Sequence, residues 1–236
     1  MNNAPYIGRR GFLGLLLGAA MTCLAACLPR QDGDTGETPA TPAPTRSGWQ
    51  WEIRWIRGRP RIDPAAYRLR IEGLVERPQT LTLEQIRALP AMTARVRMKC
   101  VECWSAPAVY TGVRLEEIFE LARPTAQATH VRFYAADGYD DTLSLEDLRA
   151  PRVMLAYGQD GRDLPLDNGW PLRLVTPAKY GYKYVKGVVR LEFVDRMEVG
   201  TWESHGYSTD ATVQPGLDRP LDLGGVRPIA GGELTY

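Results

Sequence analysis

The sequence has few of the residues that bind metals or form disulfides, with four cysteines and two histidines among 236 residues. Cys23 and Cys27 lie near the N-terminus, so the rest of the chain holds only Cys100 and Cys103. This number excludes a disulfide framework, because such scaffolds need several cysteine pairs. A structural zinc site is disfavoured as well, since it normally needs four ligands from this small pool.

An excess of charge of either sign is also missing. The first 26 residues carry two arginines and no acidic residue, so the remainder has 27 basic and 28 acidic side chains. Proteins that bind nucleic acid present a basic surface to its phosphates. We therefore exclude nucleic acid as a partner. The hydrophobic content of 44% and the charged content of 24% are those of a globular protein.

No apolar run near the N-terminus reaches the ~20 residues that a membrane-spanning helix requires. The uncharged stretch at 11–26 follows Arg9 and Arg10 and precedes Cys27, which is typical of a signal sequence. Paired arginines before Phe-Leu resemble the twin-arginine signal of proteins that fold before export. The sequence Leu-Ala-Ala before Cys27 resembles a lipobox and predicts lipidation of that cysteine. The alternative is an ordinary secretory signal in which Cys27 has no role.

These features predict three parts of the chain. Residues 1–26 are a twin-arginine-type lipoprotein signal peptide, and residues 27–48 are a lipidated flexible tether rich in Asp, Gly, Thr, Pro and Ala. Residues 49–236 are the folded domain. We expect an extracytoplasmic location, in the periplasm or at the cell surface, with Cys27 anchoring the protein to a membrane.

Patterns of apolar residues in the folded part predict many strands with short helices between them. Alternation predicts strands at 67–71, 93–100 and 188–194, among others. Thr82 and Ser144 each stand where an N-cap residue is expected to begin a short helix. Because strands and helices do not alternate regularly, the predicted fold class is α+β with mixed β-sheets.

The first candidate site is the pair Cys100 and Cys103, which stands between Lys99 and Trp104. Such a C-x-x-C pair permits thiol–disulfide exchange, a passive disulfide, a metal-binding thiolate, or two buried small side chains. A thioredoxin-like domain would have about 100 residues and βαβ order around the pair, and this chain has neither. The other interpretations stay open at this point.

The second candidate site is a cluster of cations and tyrosines between residues 164 and 186. Its members are Arg173, Lys179, Lys183 and Lys186, interleaved with Tyr180, Tyr182 and Tyr184. Fixed cations, amide donors and close backbone approach at Gly181 suit a flat anionic ligand such as a phosphorylated pterin. The alternative is a basic strand edge that faces solvent.

Together the two sites resemble a known family. Cys-Val-Glu-x-Trp-Ser at 100–105 is followed, about 65 residues further on, by Asn-Gly-x-Pro-x-Arg-Leu-Val-x-Pro-x-Lys-Tyr-Gly-x-Lys at 168–183. Both motifs in this order are similar to the molybdopterin-binding oxidoreductases of the sulfite oxidase superfamily, and within it to the periplasmic protein-methionine-sulfoxide reductases. The resemblance covers about residues 63–207. It implies a sulfite-oxidase-type molybdopterin-binding fold and a molybdenum–molybdopterin cofactor.

The resemblance implies roles for individual residues. Cys100 matches the catalytic thiolate that binds molybdenum. The residues that match those holding the pterin are Asn168, Arg173, Tyr184, Val185 and Lys186. The segment 202–207 resembles the family's segment near the cofactor. The candidates for the substrate side are Trp104, Tyr180 and His205.

The chain also departs from the family pattern. Cys103 stands where the family has a small residue, so a disulfide with Cys100 or a redox role of Cys103 stays open. The family's upstream Asn-x-x-Tyr motif has no match at 49–61. A pterin-binding threonine of the family falls near Ala135, and no role is carried over there.

The activity that the resemblance implies is oxygen-atom transfer on a small substrate, either a sulfoxide of the methionine-sulfoxide type or a sulfite-like oxyanion. No Cys-x-x-Cys-His motif for haem attachment occurs. Electrons are therefore exchanged with a separate membrane or periplasmic partner. A monomer is expected, because the chain has no room for the superfamily's extra dimerisation domain. Two alternatives are a thiol–disulfide oxidoreductase that uses Cys100 and Cys103, and a non-catalytic lipoprotein binding module on the same fold.

Overall fold

The structure is a computed structural model that describes residues 54–236. The predicted signal peptide at 1–26, the tether at 27–48 and the lipidated Cys27 therefore lie outside the described residues. In the part that is described, no helix is both long enough and apolar enough to cross a membrane.

The first of two β-sheets has five strands. Their order in the sheet is β2 (Gln79–Leu81), β1 (Leu69–Gly73), β10 (Val188–Val194), β5 (His130–Ala135) and β6 (Asp140–Ser144). β1 and β10 run parallel, and the other neighbours run antiparallel. Burial along β5 alternates, with Val131, Phe133 and Ala135 buried, so this sheet presents one face to the core.

The second sheet is built around one long strand, β4 (Trp104–Arg114). The other strands are β3 (Ala91–Lys99), β7 (Met154–Gln159), β8 (Arg162–Asp163), β9 (Arg173–Val175), β11 (Gly216–Pro220) and β12 (Arg227–Ile229). β3 pairs with one edge of β4 along most of its length, from Ser105 to Val113. On the other edge, β11 pairs near the start of β4, and β7 pairs near its end.

Short helical segments connect the strands in the described part. They are α1 (Leu83–Arg87), α2 (Leu115–Ala122) and α3 (Leu145–Leu148), with 3-10 turns at Leu166–Asn168, Gly181–Lys183 and Glu203–His205. Both predicted N-caps are formed. The Thr82 hydroxyl accepts from the Gln85 N–H at 3.2 Å, the Gln85 side chain accepts from the Thr82 N–H at 2.8 Å, and the Ser144 hydroxyl accepts from the Asp147 N–H at 3.0 Å.

The larger hydrophobic core lies against the buried face of the five-stranded sheet. Leu69 and Phe133 of this sheet pack with Ile118 of α2, and all three are fully buried. Phe119 and Phe193 meet edge to face, with ring centres 5.6 Å apart. Mixed sheets with short helices confirm the predicted α+β class.

The charged face of β3 is exposed at Arg95 but buried at Arg97 and Lys99, which the alternation alone did not predict. Arg97 donates two hydrogen bonds of 2.7 Å to the carboxylate of Asp222. Lys99 Nζ lies 2.9 Å from Asp218 Oδ1, with side chains 4% and 0% exposed. The Ser105 hydroxyl donates to Asp218 at 2.5 Å. Residues from β11 and beyond thus neutralise the cations at the end of β3, directly before the first cysteine of the C-x-x-C pair.

We expect Asp218→Ala to lower the free energy of unfolding by about 3–5 kcal/mol, because it leaves the buried Lys99 ammonium without its carboxylate. Urea denaturation of the full-length chain measures this loss. Asp195→Ala is the matched control, since the Asp195–Arg196 pair is exposed and should contribute at most about 1 kcal/mol. Equal stability of the two variants would contradict the prediction.

Candidate functional site

One cavity contacts both sequence clusters, and about 170 Å³ of it is open to water-sized molecules. Five parts of the chain contribute side chains to its walls. These parts are 54–56, the β3–β4 turn with the adjacent strand ends (98–104), the β5–β6 turn at 137–139, the segment 181–186 and the segment 202–207. Asp167 and Arg173 complete the lining.

Cys100 is placed on this cavity by the tight turn between β3 and β4. Its N–H donates to the Trp104 carbonyl at 2.8 Å, and Cys103 adopts a left-handed φ of 65° within the turn. The Glu102 N–H points to Cys100 Sγ at 3.5 Å. Cys100 is half-buried and is a free thiol. The disulfide between Cys100 and Cys103 that the sequence left open is therefore not formed.

The surroundings of Cys100 favour the protonated thiol in the absence of a bound cation. Burial is the largest influence and raises the pKa of the Cys100 thiol. The Glu102 N–H lowers it, the Glu102 carboxylate raises it, and Lys99 and Arg54 lower it by smaller amounts. A cation that replaces the proton, as in a thiolate–metal bond, would favour the thiolate at this position.

Arg173 brings a buried guanidinium to the same cavity. Its Nη1 donates to the Asn168 carbonyl at 2.9 Å, its Nη2 lies 3.1 Å from Met98 Sδ, and its guanidinium lies 5.5 Å from the Tyr184 ring centre. Asn168 is not on the cavity wall, and its side chain donates to Gln159 at 2.9 Å. Asn168 thus orients Arg173 through its backbone carbonyl.

Lys186 is the second cation on the wall. Its Nζ donates to the Arg54 carbonyl at 2.7 Å and lies 4.1 Å from the centre of the Trp55 ring. Burial and, to a smaller extent, repulsion from Arg173 lower the pKa of Lys186 to about 8, although Asp137 and Asp167 act in the opposite direction. An anion in the cavity would stabilise the ammonium and raise this pKa again.

Tyr184 and Val185, two of the residues predicted to hold the pterin, also line the cavity. The Tyr184 hydroxyl is buried and has no hydrogen-bond partner among residues 54–236. The turn that precedes them lies close to β3, because a Cβ on Gly181 would come within 3.1 Å of Met98 Sδ. Glycine at position 181 therefore allows the cationic segment to approach the strand that leads to the cysteine.

Of the three residues predicted for the substrate side, one lies on the cavity and two do not. Trp104 lines the cavity, whereas Tyr180 and His205 do not. The Tyr180 hydroxyl accepts from the Gln214 N–H at 3.2 Å, and the exposed His205 ring lies 2.8 Å from the Thr201 carbonyl. Both side chains therefore contact neighbouring loops rather than the space beside the cysteine.

The cavity is also lined by Tyr139, Tyr182, Trp202 and Tyr207. The sequence analysis placed Tyr182 in the second candidate site and the segment 202–207 near the cofactor, but it gave none of these four rings a role. We call Tyr182, Trp202 and Tyr207 the aromatic wall. The ring centres of Tyr182 and Tyr207 lie 5.3 Å apart, as do those of Trp202 and Tyr207. No local pattern could have identified this wall, since its members come from segments that meet only in the tertiary structure. The segment 202–207 carried a signal, but it pointed to the wrong side chain, His205.

A buried ion cluster lies beside the aromatic wall and consists of Lys183, Asp141 and Glu203. Lys183 Nζ lies 2.6 Å from Asp141 and also contacts Glu203, and all three side chains are at most 2% exposed. The Tyr139 hydroxyl lies 3.2 Å from Asp141 and donates to the Tyr182 carbonyl at 2.6 Å. Burial raises the pKa of Asp141 to about 7, while Lys183 lowers it and Glu203 raises it.

The raised pKa gives Asp141 a defined effect on stability. The folded state holds the proton up to about pH 7, whereas the unfolded chain releases it near ~3.9. The contribution of Asp141 to the unfolding free energy is therefore largest below pH 4 and decreases as the pH rises through 7.

We accordingly expect the unfolding free energy of the wild type to fall between about pH 4 and 7 relative to that of Asp141→Asn. Urea denaturation across this range measures the difference. Asp195→Asn, at an exposed position, should show no such trend. A difference that stays constant with pH would contradict the assignment.

Comparisons with known proteins agree with the chemistry of this cavity. Residues 57–202 match a family model described as "oxidoreductase molybdopterin binding domain". The chain is 33% identical to the protein-methionine-sulfoxide reductase catalytic subunit of Gluconobacter oxydans, across 91% of this chain and 79% of that protein. It is 29% identical to the corresponding subunit of Xanthomonas campestris pv. campestris, across 93% and 81%.

A solved structure shows the same fold. The sulfane dehydrogenase SoxCD from Paracoccus pantotrophus superposes with a TM-score of 0.58 and 24% sequence identity. The match covers 74% of this chain but only 47% of that one, so the present chain spans about half of the solved chain. The likeness concerns the fold.

Proposed function

Because the chain belongs to the family of oxidoreductases with a molybdopterin-binding domain, we propose that it reduces a sulfoxide, with methionine sulfoxide as the substrate class. The protein is an enzyme, and its cofactor is molybdopterin with molybdenum. This membership replaces both alternatives drawn from the sequence, the thiol–disulfide oxidoreductase and the non-catalytic binding module. Sulfoxide as the substrate is supported by the names of the two reductase subunits.

The observation that carries the proposal is a free cysteine thiol on the same cavity as the buried Arg173 and the half-buried Lys186. The residues fit the cofactor in three respects. A cation would favour the Cys100 thiolate, an anion would stabilise the Lys186 ammonium, and the Tyr184 hydroxyl is a buried donor with no partner in the described part of the chain. These are the properties expected around a metal, a phosphate and a hydrogen-bonding ring system.

The bound cofactor supplies a metal that can take up an oxygen atom and exchange two electrons. In our proposal Cys100 binds this metal. Arg173, Tyr184, Val185 and Lys186 hold the pterin, and Asn168 acts on it by orienting Arg173. Reduction of one sulfoxide consumes two electrons and two protons, and it yields a thioether and water.

The setting of the reaction is also a proposal. The twin-arginine-type signal, the flexible tether and Cys27 support an enzyme exported in its folded state and anchored at the periplasmic or outer face of a membrane. A separate membrane or periplasmic protein supplies the electrons. We further propose that the enzyme acts as a monomer.

We expect Cys100→Ser to lower sulfoxide reduction by more than about 100-fold, because changes outside the first ligand shell of a metal already cost 10–100-fold. The visible absorption that the thiolate–metal bond contributes should also be lost. Full-length enzyme from a host that makes the cofactor is assayed with a reduced viologen dye and by absorption spectroscopy.

Cys103→Ser is the matched control and should retain both the activity and the spectrum. If Cys103→Ser abolished the reaction while Cys100→Ser kept it, metal ligation by Cys100 would be wrong. The pair would then have to act through disulfide chemistry.

We expect Lys186→Gln to lower the pterin retained after purification by about tenfold, because a charge-assisted hydrogen bond to an anion is lost. Pterin fluorescence after release from the denatured protein measures this content. Arg162→Gln, at an exposed cation on β8, should leave it unchanged. Equal pterin content in the two variants would exclude Lys186 from cofactor binding.

A further inference from the structure

We propose that the aromatic wall, formed by Tyr182, Trp202 and Tyr207, binds the sulfur and the alkyl side of the substrate and selects an organic sulfoxide over an inorganic oxyanion. This inference rests on the proposed function and extends it to the residues that recognise the substrate. It concerns a part of the cavity to which the sequence assigned only His205, Trp104 and Tyr180.

The aromatic wall lies on the same cavity as Cys100. All three wall residues line the cavity that Cys100 also lines, and their rings contact each other in one continuous surface. Tyr207 keeps 37% of its surface exposed, so the wall extends to the cavity mouth. A substrate that enters the cavity therefore meets ring surface on its way to the cysteine.

The chemistry of a sulfoxide also matches the aromatic wall. In a sulfoxide the sulfur is electron-poor and the oxygen is electron-rich. Aromatic rings attract polarisable sulfur and apolar methyl groups, so the wall suits the sulfur side and leaves the oxygen for the rest of the cavity. An oxyanion such as sulfite has no apolar side and would need cationic donors instead.

The charges at the cavity do not offer a second site for an oxyanion. Arg54 forms an ion pair of 2.9 Å with Glu102, and Asp167 forms one of 2.9 Å with Arg59. Carboxylates therefore stand beside the cations at this part of the lining and would repel a small anion. Arg173 and Lys186 are the cations that we assign to the pterin.

The aromatic wall is also held rigidly by the buried ion cluster. Lys183 is a direct neighbour of Tyr182, and its buried partner Glu203 directly follows Trp202. A Cβ on Gly200 would lie 2.7 Å from Glu203, so this position needs glycine for the turn to pack closely. The buried ion cluster thus ties two members of the wall to one lysine, and a preorganised surface binds with little loss of entropy.

The rim of the cavity extends the apolar surface. Ile56 and Val101 line the cavity and are 41% and 38% exposed, close to the value for Tyr207. Exposed apolar side chains grouped around a cavity mark a surface that binds another molecule. This rim fits the apolar stem of a methionine sulfoxide side chain better than it fits a hydrated ion.

The test uses the molybdenum-loaded, full-length enzyme with a reduced viologen dye and methionine sulfoxide. Trp202→Ala and Tyr207→Ala should each raise KM about five- to tenfold, in line with the strength of ring–sulfur contacts. Their kcat should change less than about twofold, because the reacting groups stay in place. Tyr207→Phe keeps the ring face and should restore the wild-type KM. Molybdenum and pterin per chain are measured for every variant.

Tyr134→Ala is the matched control, since Tyr134 lies on β5 and is not part of the cavity lining. It should leave KM unchanged. A KM within twofold of the wild type in Trp202→Ala and Tyr207→Ala would overturn the inference while leaving sulfoxide reduction intact. Loss of pterin from these variants would also overturn it, since the wall would then bind the cofactor. If the loaded wild type did not reduce methionine sulfoxide, the proposed function would fail first, and this inference with it.

Discussion

The pairing of β4 on both of its edges is the constraint on which the site depends. β3 occupies one edge from Ser105 to Val113, and β7 and β11 divide the other edge between them. This arrangement fixes the turn between β3 and β4 and therefore the position of Cys100. A thiol in a mobile loop would not hold a defined distance to a ligand, whereas one in a turn closed by the bond from Cys100 N–H to the Trp104 carbonyl does.

Buried lysines connect this hairpin and the neighbouring segments to the rest of the domain. Lys99 contacts Asp218 from β11, and Lys183 contacts both Asp141 and Glu203. A buried ion pair adds little net stability compared with apolar packing at the same place. Removing one of its two partners, however, strongly lowers the free energy of unfolding. The consequence of these ion pairs is that segments distant in sequence can adopt only one relative arrangement. The same contacts therefore fix the positions of the segments that line the cavity.

The polarity of the cavity then follows from which segments these contacts bring together. Arg173 and Lys186 bring cations to the cavity, and Tyr182 together with the segment 202–207 brings aromatic rings. The ion cluster joins these two parts of the lining through Lys183 and Glu203. A cavity that has cations on one part of its lining and aromatic rings on another thus results from one set of buried contacts. The cations agree with the molybdopterin-binding family to which the chain belongs.

The sequence alone determined several of the regular elements, the family and its cofactor, since these depend on local patterns. The pattern of apolar residues predicted the strand at 188–194, and the N-cap residues predicted the starts of α1 and α3. The two motifs in their order indicated the family. The sequence did not predict β4, which contains Pro107 and Gly112, or β11, because their strand character comes from neighbours distant in sequence. Only the tertiary structure shows that Lys99 is buried, that His205 lies outside the cavity, and that the three rings of the aromatic wall lie together. Contacts between distant segments decide these features, and no local pattern encodes them.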